Sequence, residues 1–134
     1  EMALFYLRDA TSEDIPYLVD FITKSAMETE NKTLVPETAK KGVEGLLAHP
    51  KYGKYFVAVH QELQKPIGCL YIHLEVSPAL GGIVYWINSV FTDAEFRKIG
   101  VFKALYNLVL EKAKSDPMVV AVRLYVEVEN EGAQ

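Results

Sequence analysis

The stretch SVFTDAEFRKIGVFKAL, residues 89–105, decides the fold, because it joins a strand-like segment to a helix-like one through a charged turn. Arg97, Lys98 and Gly100 lie where the helix is predicted to begin. The first backbone N–H groups of a helix have no partner inside it, and with the helix dipole they attract an anion. A glycine there lets a ligand approach the backbone, and two mobile cations add to the attraction. The stretch suits a phosphate or pyrophosphate, although a simple strand-to-helix turn with solvated cations has the same pattern.

The composition indicates one ordinary globular domain over residues 1–134, with 50% hydrophobic residues and a formal net charge of −4. That charge disfavours general binding of nucleic acid. The single cysteine, Cys69, cannot form an intramolecular disulfide and favours a reducing compartment, which we expect to be the cytoplasm. No apolar run reaches the length of a membrane span, so no membrane partner is expected. Three scattered histidines and one cysteine show no metal-ligand spacing, so no metal is expected.

Hydrophobic periodicity predicts the order β α α β β β α β. The predicted elements are a strand ending near Arg8, a helix with Ser12 as N-cap, a helix over 36–49, strands over 54–60, 66–76 and 83–91, a helix over 100–114 and a strand over 118–128. We expect a largely antiparallel sheet followed by a β–α–β crossover, so the last two strands should run parallel. The fold class is mixed α/β in three layers.

Two motifs resemble those of the GCN5-related N-acetyltransferases (GNAT). In that family a strand leads into Arg/Gln-x-x-Gly-x-Gly/Ala and then a helix, and Arg97, Lys98, Ile99 and Gly100 match the first four positions. Phe102 stands where the second Gly/Ala is commonest. The segment YVEVENEGA, residues 125–133, resembles the family's last-strand motif through Asn130 and Ala133. The resemblance implies the acyl-CoA N-acyltransferase fold, a mostly antiparallel mixed sheet flanked by helices.

The same resemblance implies acetyl-CoA as the acetyl donor. A bulge in the strand before the motif would expose backbone groups to the pantetheine arm, and Asn130 would lie beside that arm. The residues implied to bind acetyl-CoA are Val90, Phe91 and Thr92 for pantetheine, Arg97, Lys98, Ile99, Gly100, Val101 and Phe102 for the pyrophosphate, and Asn130.

The resemblance stops at the end of the sequence. The family usually continues with a helix, whose tyrosine can protonate the leaving thiolate, and with two more strands. We expect that C-terminal part to be absent here, and no general acid is matched; Tyr106 and Tyr125 are interpreted as core residues. The open edge of the last strand predicts either a longer natural product or a partner chain, a homodimer being one form of the latter.

The acceptor side needs a group that takes a proton, because an amine attacks a thioester only when it is neutral. Alternation along PIGCLYIHLEV, residues 66–76, places Cys69, Tyr71, His73 and Glu75 on one face, and the other face is interpreted as core. Glu75 is the candidate catalytic base and His73 the second choice, against the alternative of a solvated carboxylate. His49 and His60, at predicted element ends, are weaker candidates.

Three further features face the predicted acceptor. Trp86 and Asn88 share a strand face and could line its pocket, although Trp86 could equally lie in the core. The polar loop over 28–35 is the candidate lid. The resemblance predicts an N-acetyltransferase that moves an acetyl group to a primary amine of a small molecule or peptide by direct attack. The alternatives are a non-catalytic acyl-CoA-binding or sensing domain and a structural subunit that pairs through its open last strand.

Overall fold

The computed structural model describes residues 4–124, and in that range the predicted order of elements is confirmed. The strands form one sheet in the order β1-β2-β3-β4-β5. They are β1 (Phe5–Asp9), β2 (Gly53–His60), β3 (Pro66–Ser77), β4 (Gly82–Thr92) and β5 (Val119–Leu124), and the helices are α1 (Ile15–Glu30), α2 (Pro36–Ala48) and α3 (Val101–Ser115).

The sheet is antiparallel from β1 to β4 and parallel between β4 and β5. The parallel pair is the one that α3 connects, as the crossover predicted. A parallel pair needs a long connection, and a helix supplies it while covering one face of the sheet. The predicted mixed sheet is therefore confirmed.

The first helix begins later than the sequence suggested. The predicted N-cap, Ser12, instead starts a 3₁₀ turn, Ser12–Asp14, and α1 follows at Ile15. The turn is held by Asp14, whose Oδ2 accepts from the Thr11 backbone N–H at 2.8 Å and from Arg8 Nη1 at 2.7 Å. Burial alone raises the pKa of Asp14, but these hydrogen bonds outweigh it and the pKa is lowered. The buried Asp14 carboxylate, paired with the partly exposed Arg8, thus fixes the start of α1.

The end of α1 also differs from the prediction. Residues 28–30 form its last turn, so the connection to α2 covers only 31–35 rather than 28–35. Asn31 ends the helix in the left-handed region at φ 53°, and its N–H reaches the carbonyls of Ala26 and Met27. An asparagine tolerates that conformation better than most residues, so it stops the helix at this point.

The sheet is buried on both faces, which corrects the prediction that only one face of β3 is core. Cys69 and Tyr71 pack on the side of α1 and α2, and Leu70 and Ile72 pack on the side of α3. Both faces are apolar because helices cover both. Beyond Ile72 the helices no longer cover the sheet. Val76, which was predicted to be core, is therefore 77% exposed.

Candidate functional site

A bulge in β4 lies where the cofactor strand was predicted to carry one. Cys69 of β3 pairs with Phe91, but Tyr71 pairs with Asn88, so β4 has one residue more than β3 over this interval. Ser89 has a φ of 49°, in the left-handed region. A bulge of this kind re-aims the strand and leaves backbone groups outside the regular ladder. The predicted pantetheine-binding residues Val90, Phe91 and Thr92 follow directly, and they stay a prediction.

The chain turns from β4 into α3 through a short 3₁₀ turn, Ala94–Phe96. Gly100 caps α3 with a φ of 86°, and no atom lies within 4 Å of the position that a Cβ would take there. The glycine therefore supplies a conformation that side chains resist, and it faces open space. The first N–H groups of α3, from Val101 onward, lack partners within the helix.

A second glycine holds this helix start against the sheet. A Cβ on Gly68 of β3 would lie 2.8 Å from Val101 Cγ1 and 3.0 Å from the Phe91 carbonyl oxygen. The first contact is closer than real side chains make and the second is tight, so a larger residue here would force α3 or the bulged part of β4 to shift. The packing brings the bulge and the start of α3 together in one place.

The two predicted cations behave differently. Lys98 is exposed on the turn, but Arg97 is fixed rather than mobile. Its Nε donates to the Thr92 carbonyl at 2.8 Å, and its Nη2 donates to Glu28 Oε1 at 2.8 Å and Oε2 at 3.1 Å. Its guanidinium also lies over the Phe91 ring, 5.4 Å from the centroid. Glu28 lies in the last turn of α1, 69 residues away in sequence, and nothing in the sequence pointed to this pair.

Of the predicted acceptor residues, His73, Glu75 and Trp86 form a second cluster, whereas Asn88 pairs with Tyr71 at the bulge. His73, Trp86 and Arg123 occupy paired positions on β3, β4 and β5, and we call them the Trp86 row. The His73 and Trp86 rings stack with centroids 6.1 Å apart, and the Arg123 guanidinium lies 5.5 Å from the Trp86 centroid. Trp86 Nε1 donates to Glu75 Oε1 at 2.7 Å. Trp86 is thus half-buried beside Glu75 and outside the two core clusters.

The two clusters are separated along the strands. Tyr71 pairs with Asn88 at the edge of the bulge, whereas Glu75 lies further along β3 and pairs with Val84. At about 3.3 Å per residue, Glu75 is about 13 Å along the strand from Tyr71. The structure does not place Glu75 next to the bulge. A proton released at the bulge would therefore reach Glu75 only through water, unless a long acceptor molecule extends from the bulge to Glu75.

The other polar candidates have local partners. His49 at the end of α2 lies with Nδ1 2.8 Å from the Gly45 carbonyl oxygen, and His60 Nδ1 accepts from the N–H groups of Glu62 and Leu63. Within residues 4–124, no group of three His, Cys, Asp or Glu side chains could hold a metal ion. None of the helices in that range is long and apolar enough to cross a membrane.

Two buried groups lie between the clusters. Cys69 is 1% exposed, and burial raises the pKa of its thiol to about 12. Tyr71 packs against Tyr55 with ring centroids 4.4 Å apart, and its hydroxyl is buried without a hydrogen-bond partner.

Tyr106 is half-buried on α3 and stacks on Phe102 with centroids 6.0 Å apart. Asn130 and Tyr125 lie outside the described residues.

Comparison with known proteins identifies the class. The family described as acetyltransferase (GNAT) family matches residues 15–134, so the chain belongs to the GNAT family, as its motifs indicated. The fold class is confirmed as well. No match is found among curated proteins.

Solved structures give the same result. A possible acetyltransferase from Clostridium difficile 630 is 34% identical, with a TM-score of 0.89 over 98% of this chain and 85% of that chain. A predicted acetyltransferase from Clostridium acetobutylicum, solved with acetyl-CoA, is 15% identical, with a TM-score of 0.76 over 96% of this chain and 84% of that one. A GNAT family acetyltransferase from Staphylococcus aureus is 18% identical, with a TM-score of 0.75 over 96% and 91%. The last two show the fold alone.

Proposed function

We propose that this protein is an N-acetyltransferase that transfers the acetyl group of acetyl-CoA to a primary amine by direct attack. The observation that carries the proposal is the bulge at Ser89, which leads through the end of β4 and the turn Ala94–Phe96 to the open, glycine-capped start of α3. A strand bulge offers backbone groups to an extended arm, and a helix start offers N–H groups to a pyrophosphate. The two features occur together and in the order that acetyl-CoA requires.

The fit to acetyl-CoA rests on space and charge. The open space at Gly100 and the unpartnered first N–H groups of α3 suit a pyrophosphate bound over residues 97–102, with exposed Lys98 beside it. Val90, Phe91 and Thr92 would face pantetheine through their backbones. The Thr92 carbonyl already accepts from Arg97 and Phe91 pairs with Cys69 of β3, which leaves Val90 as the best placed of the three. Asn130 stays a prediction from the resemblance.

In the proposed reaction the amine nitrogen bonds to the thioester carbonyl carbon and the carbon–sulfur bond breaks. The coenzyme A thiolate leaves, and the proton lost by the amine goes to the solvent-exposed Glu75 through water. Trp86 Nε1 holds one oxygen of Glu75, so the other is available for that proton. A covalent acetyl-cysteine route is disfavoured, because the only cysteine, Cys69, is buried and its pKa is raised to about 12.

The alternative is a non-catalytic acyl-CoA-binding domain, and the separation between Glu75 and the bulge is the observation that favours it. The primary test follows thiol release from acetyl-CoA across a panel of small amines and peptides. Thermal unfolding with acetyl-CoA and with pantetheine is measured on the same samples. We expect turnover with at least one amine and a larger stabilisation by acetyl-CoA than by pantetheine, which lacks the pyrophosphate.

Each result of this test has a meaning. Stabilisation by acetyl-CoA with no turnover on any amine supports the non-catalytic alternative. Equal stabilisation by acetyl-CoA and pantetheine rejects the pyrophosphate site at the start of α3. We also propose a cytoplasmic location, which rests on the single unpaired cysteine and a reducing compartment.

A further inference from the structure

We propose that Glu28 is a positioning residue for acetyl-CoA, although it lies on α1 and outside the binding motif. This proposal rests on the proposed function. Glu28 holds Arg97 in place, and Arg97 in turn holds the backbone between the bulge and α3. The pair thereby connects the helix before the candidate lid, residues 31–35, to the turn that binds the pyrophosphate.

Three kinds of contact hold the guanidinium of Arg97. Nε donates to the Thr92 carbonyl, Nη2 donates to both oxygens of Glu28, and the flat face lies over Phe91. A planar guanidinium held by three contacts at once can turn its Nε or Nη2 toward a phosphate only by giving up one of them. Arg97 therefore acts mainly as a brace across residues 92–97, and its backbone N–H rather than its side chain would face the ligand.

Glu28 completes the brace from the last turn of α1. It is two residues before the end of α1, and Asn31 then turns the chain into the connection to α2. The side chains of Arg97 and Glu28 are 45% and 46% exposed, so their attraction is screened and the effect on the free energy of folding is small. Loss of the pair should therefore change the geometry of the turn more than the stability of the fold.

The sign of the effect separates this proposal from simple electrostatics. Glu28 is a negative charge near a predicted anion site, so its removal should strengthen acetyl-CoA binding if charge alone matters. A brace predicts the reverse. We expect Glu28→Gln to raise the acetyl-CoA Kd about three- to fivefold. This change corresponds to the upper end of the interaction energies of well-aligned, exposed ion pairs.

Glu30→Gln is the matched control. Glu30 lies on the same last turn of α1, but it contacts Lys32 at 3.8 Å, whereas Arg97 pairs with Glu28. Its removal reports the effect of one lost negative charge, and we expect an unchanged or slightly lower Kd. Similar behaviour of the Glu28 and Glu30 variants would overturn the proposal.

Arg97→Lys tests the geometry. Lysine keeps the charge but has neither the fork nor Nε, so the brace predicts the same three- to fivefold loss, whereas a phosphate-binding side chain predicts little loss. In the double variant with Glu28→Gln the two losses should not add, because both remove one interaction. Full additivity, or unchanged affinity in Arg97→Lys, would reject the pairing as a positioning device.

Two readouts distinguish positioning from structure. The thermal midpoint without ligand should change little in Glu28→Gln, while the KM for acetyl-CoA rises and kcat changes less than twofold. A lower midpoint with an unchanged Kd would show a purely structural pair. If the wild-type protein binds acetyl-CoA but shows no turnover, the Kd measurements still test the brace; if it binds no acetyl-CoA, the proposed function fails first.

Discussion

The two ends of the candidate site are built in different ways. At the start of α3, the features that suit acetyl-CoA are backbone features: a left-handed Ser89, a left-handed Gly100 and a close approach at Gly68. At the Trp86 row, the features that suit an acceptor are side chains on neighbouring strands. A donor site made of backbone depends on side-chain identity mainly at the few positions that require glycine, so it can serve one cofactor throughout a family. An acceptor site made of side chains can change with every substitution.

Helix α1 connects the edge strand β1 with the donor end of the site. It begins beside β1, where Asp14 pairs with Arg8. It ends beside the α3 turn, held by Glu28 and Arg97. One ion pair is buried at its Asp14 side and the other is exposed, so the first should matter for stability and the second for binding.

The largest expected effect tests the acceptor end. Glu75→Gln should lower turnover by about a hundredfold or more, because glutamine cannot take the proton of the attacking amine, while the acetyl-CoA Kd stays the same. Steady-state kinetics and equilibrium binding measure the two quantities. Part of the lost rate should return at high pH, where more of the amine is neutral.

The control for this variant is Glu62→Gln, an exposed carboxylate in the turn between β2 and β3, for which we expect wild-type kinetics. Full turnover by Glu75→Gln at neutral pH would make Glu75 a solvated surface acid. The acceptor end of the site would then have no identified catalytic base.

The next largest effect is on stability. Asp14→Asn should lower the free energy of unfolding by about 2 kcal/mol, because it removes a charge that Arg8 pairs with in a side chain only 3% exposed. The pKa of Asp14 is lowered in the folded state, so its stabilisation is present above the ordinary pKa of an aspartate, near pH 4. It is lost as the pH falls through the lowered pKa.

Denaturant unfolding at several pH values checks this prediction. The difference between wild type and Asp14→Asn should be full at pH 7 and should shrink below about pH 4. The acetyl-CoA Kd should stay the same at temperatures where both proteins are folded. A difference that persists unchanged at low pH would assign the effect to packing rather than to charge.

A smaller effect tests the donor end. Gly100→Ala should raise the acetyl-CoA Kd about tenfold, because a Cβ would intrude on the space where a ligand approaches the backbone. Gly81 provides a close control, since it has the same φ of 86°, has no atom within 4 Å of its Cβ position and lies in the β3–β4 turn. Both variants should lose about 1–2 kcal/mol of stability through backbone strain. Only Gly100→Ala should lose affinity, and equal affinity in both would make Gly100 a turn residue.

The contrast between the ends also explains what the sequence could predict. The elements, the parallel last pair and the position of α3 follow from periodicity and from the glycine at the helix start. The Glu28–Arg97 pair and the contact of Arg123 with Trp86 could not be found, because they depend on register and on helix placement across long stretches of chain. Cys69 and Tyr71 were placed correctly on one face of β3, but the cover of that face by α1 and α2 was not foreseen.

The smallest effect concerns Cys69, which lies on β3 between the two ends. Its thiol is buried in the α1/α2 core, and burial raises its pKa to about 12, so almost none is thiolate at neutral pH. Cys69→Ala should therefore keep turnover within about twofold, with a loss of stability of about 1 kcal/mol for the small cavity. A thiol reagent should modify Cys69 only after denaturation, so native protein adds no background when coenzyme A release is followed. Loss of turnover in folded Cys69→Ala, or an acetylated Cys69 detected by mass spectrometry during turnover, would show that direct attack is wrong. The acetyl group would then be carried by Cys69 as a covalent intermediate.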